Sequence, residues 1–289
     1  MKLTSQRDVR ALLDAHGIRP SKALGQNFLT DANLIEWIVA RAEVGPDDEV
    51  LEVGPGLGGL TEALARRARR VVAVETDRRL LEILAQRTGT LPNVERLHED
   101  ALETDFEAWF AGCAWKVVSN LPYSVGTRLL VRFIDTAHPP ERIVVTLQLD
   151  VGRRIIAGPG DAAYGLLAIW TQRLYEARIA RTIPPTCFHP APGVVSAVVD
   201  LRRRPTPRGA PRDLAHFREL TRRAFMRRRK QLRRILLDLP SALRPPGAPE
   251  PEELLHSLAV AAEARPETLT VETWAALSDA LVRGRGDAV

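Results

Sequence analysis

An apolar run leads directly into a glycine-rich loop and then into a helix start at residues 51–61, which read LEVGPGLGGLT. Glycines let the backbone approach a ligand closely, and a helix N-terminus adds the positive end of its dipole. The motif therefore predicts a strand–loop–helix unit that binds a nucleoside ligand. Gly54, Gly56 and Gly59 fit the dinucleotide pattern G-x-G-x-x-G. Gly54, Gly56 and Gly58 fit G-x-G-x-G, which is typical of S-adenosylmethionine-dependent methyltransferases, and the loop alone leaves both ligands open.

Strands and helices alternate around this loop. The predicted strands cover residues 49–54, 70–75, 93–98, 115–120 and 142–149. The predicted helices between them cover residues 60–69, 78–86 and 127–136. This alternation predicts a parallel sheet covered by helices on both faces.

The pattern changes beyond the last of these strands. Two more strands are predicted at residues 174–181 and 194–202, joined by the proline-rich TIPPTCFHPAPG. Because no crossover helix fits between them, we expect an antiparallel pair, which brings the sheet to seven mostly parallel strands. Two helices should precede the alternation, one over residues 5–16 and one that follows Thr30 or Asp31 and runs to about Ala42.

Proline and glycine mark a domain boundary near residue 205. Residues 1–204 are predicted to form a Rossmann-like domain, and residues 205–213 a linker. Residues 214–289 are almost entirely helical in pattern and should form a small C-terminal domain.

Charge and cysteine content narrow the possible partners. The chain has 289 residues, a net charge of +5 and a pI of about 9.7, which is compatible with nucleic acid as a partner. Cys113 and Cys187 fit neither a metal-binding spacing nor a disulfide framework, so no metal is expected. The polar N-terminus and the lack of an apolar run of about 20 residues predict a soluble, cytoplasmic protein with no membrane partner.

Polar side chains stand at the ends of three further strands. Glu75 ends the second strand, 21 residues after Gly54, where a carboxylate can accept hydrogen bonds from ribose hydroxyls. Asp100 follows the third strand, within reach of an adenine amino group, and Asn120 ends the fourth. Each alone could be a simple strand cap. Ligands of open α/β sheets sit beyond the carboxyl ends of the strands, so together they predict one site.

The segment VSNLPYS, residues 118–124, suggests what that site does. The lone pair of an adenine amino group is delocalised into the ring, and two acceptors must aim it at a methyl donor. The Asn120 side-chain oxygen and the Leu121 carbonyl are the predicted acceptors, in a turn stiffened by Pro122. Tyr123 offers a flat face on which the base can stack. The segment lacks a convincing proton donor for a nicotinamide enzyme.

These segments resemble the ribosomal RNA adenine N6,N6-dimethyltransferases, above all those that act on bacterial small-subunit (16S) RNA. The matching segments are SKALGQNFLTD, LEVGPGLGGLT, VVAVETD, HEDAL, VSNLPYS, LQLDVGRRI, YGLLAI, FHPAPGVVSAVV and AFMRRRKQLRRIL, in family order over residues 21–236. The resemblance implies the class I S-adenosylmethionine-dependent methyltransferase fold, with a small helical C-terminal domain. It also implies a ribosomal RNA or small-subunit-precursor substrate, a monomer, and four methyl transfers to two adjacent adenines near the RNA 3′ end.

The resemblance assigns residues as well. It implies Phe188 as a second stacking face for the target base. It implies S-adenosylmethionine contacts from Gln26, Asn27, Leu29, Gly54, Gly56, Glu75, Asp100 and Asn120.

The chain departs from the family pattern at a few positions. Gly193 and Val195 stand where a lysine and an acidic residue are usual, Ser119 replaces a glycine, and Asp150 replaces a glutamate. None removes a predicted cofactor or base contact, so the first departure bears on substrate choice rather than on reaction type.

A basic run, RRAFMRRRKQLRR at residues 222–234, holds eight cations and no acid. A solvated helix face would account for it, but so dense a positive charge favours an anionic partner, and RNA phosphate is the expected one. The predicted RNA-binding residues are Arg222, Arg223, Arg227, Arg228, Arg229, Lys230, Arg233 and Arg234.

Three other functions share parts of this pattern. A methyltransferase that acts on 23S RNA, of the macrolide-resistance type, would carry the same catalytic motifs. A non-catalytic ribosome-assembly or transcription factor could use the same fold. A nicotinamide enzyme would use Gly54, Gly56 and Gly59.

Overall fold

The computed structural model describes residues 5–21, 24–110 and 112–283. The chain forms two compact units. Of the described residues, the first unit contains those up to Arg153 together with Glu176–Arg203, and the second contains Arg154–Tyr175 and those from Arg204 onward.

The first unit is built on a seven-stranded sheet, as predicted. Its strands are β2 (Glu49–Val53), β3 (Arg70–Glu75), β4 (Val94–His98), β5 (Trp115–Asn120), β6 (Arg142–Gln148), β7 (Tyr175–Ile183) and β9 (Ser196–Arg203). Their order is β4-β3-β2-β5-β6-β9-β7. The pairs from β4 to β6 are parallel, and β9 is antiparallel to β6. The strands predicted near residues 174 and 194 are neighbours in this sheet.

Helices precede these strands or connect them. They are α1 (Gln6–Ala15), α2 (Ala32–Arg41), α3 (Gly59–Ala65), α4 (Arg78–Thr88), α5 (Phe106–Phe110), α6 (Gly126–Asp135) and α7 (Leu149–Ile156). Asp31 caps α2 by accepting hydrogen bonds from two backbone amides. Of the two predicted capping residues, Thr30 and Asp31, it is therefore Asp31 that caps the helix. Apolar side chains of α2 and α3 pack on the buried strands and form the main core.

A second, two-stranded sheet joins distant parts of the chain. Its strands are β1 (Phe28–Leu29) and β8 (Phe188–His189), which pair antiparallel with Leu29 opposite Phe188. This pairing holds the segment after residue 24 beside the segment before β9.

The second unit is helical. It contains α8 (Leu166–Leu174), α9 (Leu214–Met226), α10 (Leu232–Leu237), α11 (Pro251–Ser257) and α12 (Val271–Arg283). Phe217 and Trp274 are wholly buried in its own hydrophobic core.

The contacts divide the chain differently from the predicted boundaries. Residues 154–175, expected in the first domain, belong to the second unit because Tyr164 and Ile169 are buried in its core. The predicted linker, residues 205–213, also packs there: the Arg208 amide donates to the Arg173 carbonyl. The sequence interpretation did not predict α5, α7 or α8.

Candidate active site

A cleft opens at the carboxyl ends of β2, β3 and β5. The chain runs outward from β2 to β3 and β4, then returns to the other side of β2 as β5, so the cleft lies at the point where the strand order reverses. Ligands of open α/β sheets bind at such points. The cleft encloses about 640 Å³, part of it open to solvent. Most of the predicted cofactor residues line it: Gln26, Asn27, Gly54, Gly56, Glu75, Asp100 and Asn120.

The glycine loop after β2 has the geometry of one of its two possible patterns. Gly54, Gly56 and Gly58 all have positive φ, at 68°, 56° and 80°, whereas Gly59 is the first residue of α3. A Cβ at Gly56 would lie 2.8 Å from the Phe28 ring. The backbone therefore needs glycine at the three positions of G-x-G-x-G.

Glu75 is buried at the end of β3, and backbone amides hold its carboxylate. One oxygen accepts from the Gly56 amide at 3.2 Å and the other from the Asp77 amide at 2.9 Å. Burial raises the pKa of the Glu75 carboxyl, and the two amides oppose that rise. Each oxygen keeps a second lone pair, which suits it to accept a ribose hydroxyl.

The charge of the cleft is acidic. Glu75, Glu99 and Asp100 line it, and no lysine or arginine lines it in the part of the chain that the structure describes. Asp100 is exposed, and one of its oxygens accepts from the Leu102 amide at 2.8 Å. A cationic ligand fits this lining, whereas the pyrophosphate of a dinucleotide would meet no cation.

The Asn120 side chain is fixed in orientation. Its Nδ2 donates to the Asn27 carbonyl at 2.7 Å. Its Oδ1 is buried and has no hydrogen-bond partner among the described residues. A buried acceptor left unpaired costs about 1–3 kcal/mol, so this atom is suited to a ligand that brings an N–H donor.

The loop that carries Gln26 and Asn27 forms hydrogen bonds with Asp77, after β3, and with Asn120, at the end of β5. The Gln26 side chain donates to Asp77 at 3.3 Å and accepts from the Ser21 amide at 2.8 Å. Asn27 supplies the carbonyl that holds Asn120. The side-chain amide of Gln26 is therefore already engaged within the protein. Residues 22 and 23 of the motif SKALGQNFLTD lie outside the described part of the chain.

The turn after β5 contains three more of the predicted catalytic residues. The Leu121 side chain is buried and anchors the turn, and the Pro122 ring lines the cleft. Tyr123 is half-buried, and its phenol forms a hydrogen bond with the Ser196 hydroxyl at the start of β9. Burial raises the pKa of the Tyr123 phenol.

Two predicted contacts are not where the sequence suggested. Phe188 is wholly buried in the main core, so in this conformation its ring has no exposed face on which a base could stack. Leu29 does not line the cleft but an adjoining smaller cavity, which Asn120 also borders. The β1–β8 pairing explains both positions, because it packs Leu29 and Phe188 together against the sheet.

The smaller cavity contains a residue that the sequence interpretation missed. Glu52 in β2 is buried, and one of its oxygens has no partner within the described residues. Burial is the main cause that raises its pKa to about 8; the Thr61 hydroxyl opposes this rise, and the nearby Glu75 carboxylate contributes to it. The sequence contained a signal that could have identified Glu52: it is an acid within an otherwise apolar strand, two residues before Gly54.

The eight cations of the basic run are exposed or half-exposed in the second unit, but the run is not one helix. Helix α9 ends at Met226, and α10 begins at Leu232, whose side chain is buried with Ile235 and Leu236. Five cations are paired with carboxylates: Arg222 and Arg223 with Glu219, Arg227 with Asp238, Arg228 with Glu267, and Arg233 with Glu252. Arg229, Lys230 and Arg234 are exposed and have no carboxylate partner among the described residues.

No helix within the described ranges has the length and apolar character needed to cross a membrane. No group of three or more metal-ligating side chains occurs in those ranges.

The reversed strand β9 beside β6 distinguishes this sheet from wholly parallel dinucleotide-binding folds. The glycine loop is of the G-x-G-x-G type, and the acidic cleft lies where the strand order reverses. Together with the reversed strand, these two features define the class of the protein. The chain has the fold of the class I S-adenosylmethionine-dependent methyltransferases.

Comparison with known proteins narrows this class. Residues 18–275 match the family described as "Ribosomal RNA adenine dimethylase". The chain is 42% identical over 283 residues to the ribosomal RNA small subunit methyltransferase A of Ligilactobacillus salivarius, covering 95% of this chain and 94% of the relative. It is 41% identical over 272 residues to the protein of the same name from Geobacter metallireducens, covering 92% and 97%.

Solved structures agree with the fold. The crystal structure of the 23S rRNA methyltransferase ErmE matches with a TM-score of 0.68 at 28% identity, covering 88% of this chain and 99% of that chain. A dimethyladenosine transferase from Plasmodium falciparum matches with a TM-score of 0.74 at 23% identity, covering 86% and 95%. The chain belongs to the ribosomal RNA adenine dimethylase family, whose methyl donor is S-adenosylmethionine.

Proposed function

We propose that this protein transfers methyl groups from S-adenosylmethionine to the N6 amino groups of two adjacent adenines near the 3′ end of 16S rRNA. The observation that carries the proposal is the unpaired, buried Oδ1 of Asn120 at the edge of the cofactor cleft. Because Asn27 holds the other end of the amide, the oxygen and not the nitrogen faces the site.

S-adenosylmethionine, when bound, supplies an electrophilic methyl group on a positively charged sulfur. The acidic lining of the cleft, with Glu75, Glu99 and Asp100, suits that charge. Glu75 would hold the ribose, the glycine loop would allow close approach of the backbone, and Asp100, which also lines the cleft, would accept from the adenine of the cofactor.

The target adenine needs orientation more than a base. Asn120 Oδ1 and the Leu121 carbonyl accept one N–H each, so that the nitrogen lone pair points at the methyl carbon. The nitrogen would bond to the methyl carbon as the S–C bond breaks, with S-adenosylhomocysteine as the leaving group, and would then lose to water the proton that its positive charge has made acidic. Orientation and electrostatics therefore supply most of the rate, and Tyr123 supports the unstacked base by stacking.

The small-subunit substrate is favoured over the large-subunit one by similarity. The small-subunit relative from L. salivarius is 42% identical, against 28% for the 23S enzyme ErmE. Membership of the family supports ribosomal RNA as the substrate. The proposal also includes a small-subunit precursor as the substrate, a monomeric state and a cytoplasmic location. The proposal also allows a role in small-subunit biogenesis beyond methylation, through the same contacts with ribosomal RNA.

The test maps dimethylated adenines in small-subunit RNA. Cells that lack the gene should lose dimethylation at two adjacent adenines near the 3′ end of 16S rRNA, and the wild-type gene should restore it. The Asn120→Ala variant should still bind RNA but restore little methylation, because it lacks the acceptor that orients the amine. Full methylation by Asn120→Ala would contradict the mechanism. Marks that appear only in 23S rRNA would identify the other substrate, and an unchanged methylation map would favour a non-catalytic role.

A further inference from the structure

Ser196 is a buried polar residue to which the proposed chemistry assigns no role. It is the first residue of β9, and none of its surface is exposed. Its hydroxyl forms a hydrogen bond with the phenol of Tyr123, the residue that should stack on the target base. The two residues are 73 positions apart in the chain, so the bond depends on the fold.

The strand order shows what the bond spans. Tyr123 follows β5, Ser196 opens β9, and β6 lies between these two strands. Ser196 is paired with Gln148, the last residue of β6. Neighbouring strands are about 4.8 Å apart, so β5 and β9 are roughly 10 Å apart. The tyrosine side chain therefore reaches across the carboxyl end of β6, at the same edge of the sheet as the cleft.

We propose that Ser196 is a positioning residue for methyl transfer, because its hydroxyl fixes the Tyr123 ring where the target adenine stacks. This inference rests on the proposed function, and in particular on the stacking role of Tyr123. Ser196 itself contacts neither the base nor the cofactor.

Two physical effects support this role. A hydrogen bond at the phenol oxygen holds χ1 in one rotamer, because the other rotamers would carry the oxygen away from Ser196. A phenolic O–H also prefers the plane of its ring, so a fixed partner restrains the ring plane. Burial raises the pKa of Tyr123, and the phenol therefore stays protonated and able to donate at neutral pH.

The rigidity of Ser196 makes it a suitable anchor. Its backbone is part of the antiparallel ladder between β6 and β9, and the preceding residue Val195 accepts from the Leu149 amide at 3.0 Å. Tyr123, in contrast, lies in a turn with the exposed Ser124 beside it. The bond thus ties a loop residue to the sheet.

A double-mutant cycle tests the proposal on the full-length protein with unmethylated small ribosomal subunits as substrate. Ser196→Ala and Tyr123→Phe each remove the same bond, from opposite sides. We expect each to slow single-turnover methyl transfer roughly three- to tenfold, the effect of one hydrogen bond. The double variant should be no slower than the slower single one. Affinity for S-adenosylmethionine should not change in any of the three.

Ser278→Ala is the matched control. Ser278 is also a wholly buried serine, and its hydroxyl is hydrogen-bonded to His216 in the second unit. Loss of the Ser278 hydroxyl should lower thermal stability but leave the rate of methyl transfer unchanged. If Ser196→Ala does not fold, Tyr123→Phe still tests whether the bond matters.

Two results overturn the proposal. Wild-type rates in Ser196→Ala and Tyr123→Phe would show that the bond does not position the ring. Rate losses that multiply in the double variant would show that Ser196 acts independently of Tyr123. A wild-type rate in Tyr123→Ala would instead remove the stacking role on which both ideas depend, while the Asn120 result would still test the proposed methyl transfer.

Discussion

Glu75 is the residue whose cofactor role can be measured most directly. Its buried carboxylate is held by two backbone amides and is available to a ribose. We expect Glu75→Ala to weaken S-adenosylmethionine binding by about 1.5–3 kcal/mol, the scale of hydrogen bonds to a charged group. Isothermal calorimetry measures this, with a melting curve to verify folding. The exposed Glu103→Ala is the control, and unchanged affinity in folded Glu75→Ala would place the ribose elsewhere.

Glu52 makes stability depend on pH. Burial raises its folded pKa to about 8 from an ordinary value of 4.5, so its stabilising effect is complete below pH 4.5 and is lost as the pH rises towards 8. Each pKa unit is worth about 1.4 kcal/mol. Relative to Glu52→Gln, the wild-type melting temperature should fall between these pH values and then level off. Melting curves from pH 4 to 9 measure the difference, and a constant difference would mean that Glu52 is ionised in the folded protein.

Between elements, the approach of the loop at residues 24–27 to the turn after β5 decides how Asn120 is held. Gly25 has a φ of +67°, and a Cβ there would lie 3.0 Å from the backbone nitrogens of Tyr123 and Ser124. A side chain would therefore push the loop away from the turn and move the Asn27 carbonyl from Asn120.

Gly25→Ala should therefore slow methyl transfer at least tenfold, on the order of 1.4 kcal/mol or more. Gly17→Ala is a close control because Gly17 has a φ of +62° but no atom within 4 Å of its added Cβ. Both variants should lose roughly 1–3 kcal/mol of stability from backbone strain. Only Gly25→Ala should lose rate, as single-turnover assays would measure. Equal rates in the two variants would show that the close approach is not needed.

The elements also show how far the sequence can be interpreted. The central strands and the residues at their ends were predictable, because apolar runs bounded by Gly54, Glu75 and Asn120 mark a parallel sheet and its functional edge. Helix α7 was not, because it follows β6 without an intervening loop residue, at Leu149. The partners of Asn120 and Tyr123 were not predictable either, because Asn27 and Ser196 lie 93 and 73 residues away in the chain.

At the scale of the whole molecule, the fold changes the meaning of the basic run. Within residues 222–234 there is no acid, so the sequence suggested strong repulsion relieved by RNA. The fold brings Asp238, Glu252 and Glu267 from further along the chain, and the preceding Glu219, to five of the eight cations. Repulsion is therefore weaker than the sequence indicated, and the case for RNA depends most on the three cations without such partners.

This division makes a graded prediction for RNA binding. Replacing Arg229, Lys230 and Arg234 with glutamine should weaken RNA affinity and reduce the log–log salt slope by roughly 2–3, at about 0.7–0.9 for each phosphate contact. Replacing Arg222 and Arg223, which share Glu219, should change the slope by less per residue, because a cation already paired with a carboxylate binds fewer phosphate charges. Titrations at several salt concentrations measure both slopes.

Two further measurements separate the explanations of the basic run. The affinity for S-adenosylmethionine should not change in either variant, because the cofactor cleft is lined by residues of the first unit alone. If the three cations form only a solvated surface, RNA affinity and its salt slope will both equal those of the wild type. If they stabilise the helical unit, the melting temperature will fall together with RNA affinity, whereas phosphate contacts predict a lower affinity at an unchanged melting temperature. Equal slope changes per residue in the two variants would show that pairing with carboxylates does not govern which cations meet the RNA.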